Sequence, residues 1–189
     1  MIRPVFLTLC ALATSALTTV HAHSVWIEPG SDHQLVIRFA EPGDDFEKSP
    51  GYLDNLSTPT AFTVAAGKAV SAPALKQSDN FLLTGAAFTN VACAETTFTV
   101  RGGRKPVFYA RWQPAGAGAK KPLLTLDLVP TGKPGEVRAY FRGQPLGNVA
   151  ATLYTPDEKD QELTADADGF IHFKTGLPGQ YLLTIAHHR

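Results

Sequence analysis

The sequence predicts an all-β protein: two antiparallel β-sandwich-like domains behind a cleaved export signal. Three observations carry this. No stretch repeats apolar residues at helical spacing over three turns. Short runs that alternate apolar and polar residues recur along the chain instead, as half-buried strands require. The 14 prolines and 16 glycines fall mostly between those runs, where they act as punctuation.

Residues 1–22 read as a signal peptide. Arg3 is the only charge, and Val5 to Leu17 is apolar or small, too short for a membrane span. Val20 and Ala22 are small residues placed for cleavage after Ala22. Leu9, ahead of Cys10, is not the small residue that a lipid-anchor cysteine wants. The expectation is a soluble exported protein, periplasmic, that begins at His23.

The mature strands follow in order. His23 to Glu28 puts Val25 and Ile27 on one face and Trp26 on the other. Pro29-Gly30-Ser31-Asp32 is turn chemistry, and Leu35, Ile37 and Phe39 alternate with Val36 and Arg38 in a second strand. The pair reads as a hairpin with a four-residue loop, in which Glu28 meets His33 and His23 meets Arg38. Glu41 to Pro59 is polar and rich in Gly, Pro and Asp, so it reads as a long loop with a helical turn near Tyr52 to Leu56. Strands are expected at 61–64, 68–72, 80–83, 96–101, 107–112 and 123–129, with a flexible segment at 113–121. Pro130 to Gly135 holds two prolines and two glycines, which makes it the boundary between domains at 23–130 and 135–189. Five more strands are expected at 136–142, 148–154, 161–165, 170–174 and 180–187.

Composition excludes some partners. The chain holds 17 basic and 17 acidic residues, and Arg3 leaves with the signal, so no basic excess argues for nucleic acid or an anionic membrane. Cys93 is the one cysteine beyond the signal. It cannot form an internal disulfide, and in the run Val91-Ala92-Cys93-Ala94 it reads as a small buried hydrophobe. No nucleophile elbow, phosphate-cradling loop or H-E-x-x-H is present, so no catalysis is implied.

The chemistry that remains is imidazole. After cleavage His23 carries a free α-amine beside its ring, and the two can chelate one metal ion; such nitrogen-rich sites suit Cu(II) and Ni(II). The alternative amino-terminal design needs a histidine at the third position, which is Val25. His187 follows Tyr181, Leu183 and Ile185 at period two and so leaves the core face of the last strand; His188 points the other way. His23, His187 and His188 are the candidate metal ligands, and this requires the two ends of the mature chain to meet. His33 lies about five residues along the ladder from His23, roughly 17 Å, so it reads as a surface residue at the turn. His172 reads as an exposed strand residue. Glu28, Glu41, Asp44, Asp45 and Glu47 cluster around the first hairpin and the long loop, where carboxylates could assist a metal or simply be solvated. Asp166-Ala167-Asp168-Gly169 looks like the start of a calcium loop but lacks the later glutamate, so it reads as a tight turn.

Two resemblances add to this. The runs Gly143-Gln144-Pro145-Leu146, Val149 to Tyr154, Thr164 to Gly169 and Leu177 to Leu183 resemble the carboxypeptidase-regulatory, transthyretin-like sandwich. The start Ala22-His23-Ser24-Val25-Trp26-Ile27-Glu28-Pro29, the strand Leu124 to Pro130 and the end Tyr181 to His188 resemble an exported family labelled NikM-like or nickel-uptake accessory. The second resemblance implies a periplasmic nickel- or cobalt-binding protein that hands metal to an inner-membrane uptake transporter, as a separate protein without a membrane span of its own. Two alternatives stay open. One is a copper protein with an amino-terminal histidine brace, either a chaperone or an oxidative enzyme with Trp26, Phe46 and Tyr52 as its substrate surface. The other is a non-catalytic interaction module in which the histidines are incidental.

Overall fold

A computed structural model describes residues 23–100, 102–117 and 121–188. The expected signal peptide lies outside these residues. The described chain is all-β and folds into four small antiparallel sheets. None of its helices is long and apolar enough to cross a membrane.

The first hairpin joins β1 (Ser24–Pro29) to β2 (Gln34–Ala40). Its register pairs Ser24 with Ala40 and Glu28 with Val36. The expected pairing of Glu28 with His33 is therefore off by three residues. The cause is local: β1 runs on through Pro29, and the 3-10 turn falls at Ser31–His33, where His33 takes a left-handed φ of 58°, so the centre of the hairpin lies further along the chain than a turn at Pro29–Asp32 would place it. This correction sets the site, because continuing the ladder outward brings His23 opposite Glu41 instead of Arg38.

β1 and β2 share a sheet with β5 (Ala74–Lys76) and β6 (Phe81–Ala87), in the order β1-β2-β6-β5. The facing sheet has the order β4-β3-β7-β8, built from β3 (Thr60–Ala65), β4 (Lys68–Ser71), β7 (Val91–Thr97) and β8 (Val107–Trp112). Between them lies a core of Ile27, Leu35, Ile37, Phe39, Leu53, Phe81, Leu83 and Phe98. The strand expected at 96–101 starts earlier, at Val91. Val91, Ala92, Cys93 and Ala94 are all buried, so both faces are covered and the alternation that marks a half-buried strand is missing.

The second half begins with β9 (Leu126–Pro130) and β10 (Glu136–Phe141), which pair with each other. β11 (Gln144–Pro145) and β14 (Phe170–His172) complete that sheet. β12 (Ala150–Tyr154), β13 (Asp160–Thr164) and β15 (Leu182–Ile185) form the other, in the order β13-β12-β15. A second core of Ala139, Val149, Ala151, Ala165 and Ile171 lies between them, with Leu128, Val137 and Leu183 packed against it. The turn at Asp166 takes its shape from that side chain, whose Oδ1 accepts from the Asp168 and Phe170 N–H groups.

The two halves touch where β8 runs beside β9. Arg111 Nη1 donates to Asp127 Oδ2 at 2.8 Å, and the two side chains are 6% and 0% exposed. The same oxygen accepts from the Leu123 N–H at 2.8 Å, while Oδ1 has no hydrogen-bond partner among the described residues.

Candidate metal site at His23

His23 is half-buried, with Phe39 and Tyr52 packed against its ring at centroid distances of 5.1 and 5.0 Å. Each comes from a different element. Phe39 lies on β2, and Tyr52 opens the 3-10 turn Tyr52–Asn55. That turn is staked by Asp54, whose carboxylate accepts from Lys76 Nζ, Ser49 Oγ and the Gly51 N–H. The Lys76 bond leads these donors in holding the Asp54 carboxyl well below the usual carboxylate range.

The polar partners of His23 come from the loop after β2. Its Nε2 lies 2.6 Å from Glu47 Oε1, and its Nδ1 lies 3.5 Å from Glu41 Oε1. Asp44 and Asp45 join these residues to line an open depression of about 400 Å³, and among the described residues no lysine or arginine shares the lining.

The loop is held at its far side by a clamp on Phe46. Arg38 Cζ sits 4.0 Å above the Phe46 ring, and the Trp26 ring lies 6.1 Å from it. Arg38 is itself fixed, with its Nε donating to Glu28 at 2.9 Å and its Nη1 paired with Asp79 at 3.0 Å. Trp26 Nε1 donates to the other Glu28 oxygen at 2.7 Å. The Glu47 N–H donates to the Phe39 carbonyl at 3.0 Å. Glu47 thus meets His23 from a backbone tied to β2, next to a residue whose side chain is stacked in place. Trp26 and Phe46, weighed from sequence as a substrate surface, are held in this clamp. Trp26 is only 8% exposed.

The other histidines go elsewhere. The His187 ring lies against Phe141 at a centroid distance of 4.5 Å, tilted by 54°, and His188 is exposed. Within the last sheet Tyr154 pairs with Leu182 and Ala151 with Ile185, so His187 continues past the Ala151 end. Burial raises the Tyr154 hydroxyl pKa most, and the charges of Asp160, Glu162 and Glu41 add to it. Neither His187 nor His188 lines the depression that holds His23. His33 lies against Phe88, and His172, 63% exposed, has Nδ1 3.5 Å from Glu136. Cys93 is buried, and burial pushes its thiol up to about 12.

Among the described residues no three His, Cys, Asp or Glu side chains stand ready-made around an ion position. The donor chemistry at His23 nonetheless fits a divalent transition metal. It offers one imidazole and several carboxylates. Sequence reasoning places Glu41 and Glu47 among the loop carboxylates but does not join them to His23. The signal that would have done so is the hairpin register.

Comparison with protein-family models, curated proteins and solved structures finds no match for this chain. The site and the fold alone define its class: an all-β chain that presents an imidazole between carboxylates.

Proposed function

We propose that residues 1–22 are an export signal cleaved after Ala22 and that the mature chain is a periplasmic protein of two β-sandwich domains, 23–130 and 135–189. It binds nickel or cobalt at His23 and passes the ion to an uptake transporter of the inner membrane. The observation that carries this reading is the pairing of both His23 ring nitrogens with carboxylates in a depression that no basic side chain among the described residues lines. Such a pocket favours a cation by charge, and its one imidazole favours a transition metal over calcium or magnesium. The α-amine and ring of His23 would hold the ion with Glu41. The depression is open, which suits an ion that is loaded and released by ligand exchange. Affinity falls in acid, because a protonated ring cannot coordinate.

The test is calorimetric titration of processed protein with Ni(II), Co(II), Cu(II) and Zn(II), beside His23→Asn and a variant with one extra residue ahead of His23. Nickel or cobalt binding that both changes abolish is the expected result. Preference for Cu(II) over both would move the reading to a copper protein. Absence of binding by all four ions would leave the interaction module in its place.

A further inference from the structure

The two carboxylates at His23 are not equivalent. A carboxylate only accepts hydrogen bonds, and a neutral imidazole has one N–H to give. The 2.6 Å contact with Glu47 takes that proton at Nε2, since the 3.5 Å separation at Glu41 is too long for a good hydrogen bond. Nδ1 then carries a lone pair and faces an anionic oxygen. Two electron-rich atoms turned toward each other are unfavourable, and either a proton on Nδ1 or a metal ion bound by both atoms relieves the conflict. Nδ1 is also the ring nitrogen that can close a chelate with the α-amine of the same residue. The surroundings match this division. Glu47 is fixed by its backbone bond to Phe39 and by the clamp on the neighbouring Phe46, and its side chain makes the shorter contact with the ring. The closer, anchored carboxylate is placed to orient the ring, and the more distant one faces Nδ1.

We propose that Glu47 is a positioning residue that fixes the Nε2–H tautomer of His23, which reserves Nδ1 for a transition-metal ion with Glu41 as the anionic co-ligand. The inference rests on the metal reading above. Glu47 does not touch the ion; it acts through the ring, in the manner of carboxylates behind metal-bound histidines.

Long-range 15N–1H correlation on histidine-labelled, processed, metal-free protein tests this at alkaline pH, where imidazoles are neutral. The wild-type His23 ring is expected as the Nε2–H tautomer. Glu47→Gln, whose amide can donate as well as accept, should give a mixture of tautomers and bind Ni(II) about 10–100-fold more weakly. Glu41→Gln should weaken Ni(II) as well but leave the tautomer unchanged. A wild-type ring protonated at Nδ1, or a tautomer that ignores Glu47→Gln, overturns the proposal. If the tautomer behaves as expected and the wild type binds none of the ions, the metal reading fails while the orienting role of Glu47 stands. A merely structural role for Glu47 would leave the tautomer alone.

Discussion

At the scale of single residues, buried charge is the sharpest constraint. Arg111 and Asp127 sit where the two halves touch, with almost no exposure. Arg111 also donates through Nε and Nη2 to Gln113 Oε1 at 3.0 and 2.9 Å, so its fork is locked in place. Asp127 depends on that fork, because its Oδ1 is buried without a partner among the described residues and its Oδ2 otherwise meets only backbone N–H groups. Removing the cation would leave the carboxylate buried and unpaired, which costs about 3–5 kcal/mol. Arg111→Met is expected to lower the unfolding free energy in urea by that amount with the slope unchanged. A loss below about 1 kcal/mol would show that water already reaches Asp127. This pair is invisible in the chain order. Arg111 sits in an alternating strand and Asp127 in a leucine-rich one, and nothing in either pattern says that the polar face of each is covered.

At the scale of elements, the strands were legible wherever one face is solvated. β8 falls at 107–112 as the alternation predicts, and β10 begins at Glu136 as expected. The misses are failures of that same pattern. β7 is covered on both sides, and the first hairpin has a 3-10 turn in its loop, so neither shows what single-face burial writes into a sequence. Glycine spacing identifies turns but not how crowded they are. Gly135, between β9 and β10, has φ 68°, and a Cβ there would strike the Phe173 carbonyl oxygen. Its own carbonyl accepts the Phe173 N–H at 2.8 Å, so the turn cannot back away. Gly143 has a similar φ of 77°, but a methyl group there would meet nothing within 4 Å. Gly143→Ala should therefore cost only about 1 kcal/mol for the left-handed backbone, and Gly135→Ala distinctly more, by about 1–3 kcal/mol. Equal thermal midpoints for the two variants would show that the Phe173 carbonyl yields at no cost.

At the scale of the whole molecule, the question is how the site end and the rest of the fold are coupled. The candidate site hangs on the first core through Phe39 and on the loop through Phe46, and the first half touches the second where β8 runs beside β9. Only the first of these links is readable in the chain order; the others join residues whose proximity depends on sheet topology. Cys93 reports on the integrity of this arrangement. It lies across from Arg111 in the β7–β8 ladder and is fully buried. Burial raises its thiol most; Arg111 pulls it down and Asp127 pushes it up, with the result at about 12 against an ordinary 9.0. The unfolded chain therefore loses the thiol proton at lower pH than the folded one. Below pH 9.0 both states keep the proton and the group has no effect on stability; between 9.0 and about 12 the unfolded state gains, and stability falls by about 1.4 kcal/mol for each pH unit. Urea unfolding of wild type and Cys93→Ala at pH ~8 and pH ~10.5 isolates this contribution, since every other titrating group is common to both proteins. The wild type should lose about 2 kcal/mol more than the variant over that interval. If the two proteins lose stability in parallel, the thiol is already ionised or exposed in the folded state, and the close packing on both faces of β7 is wrong.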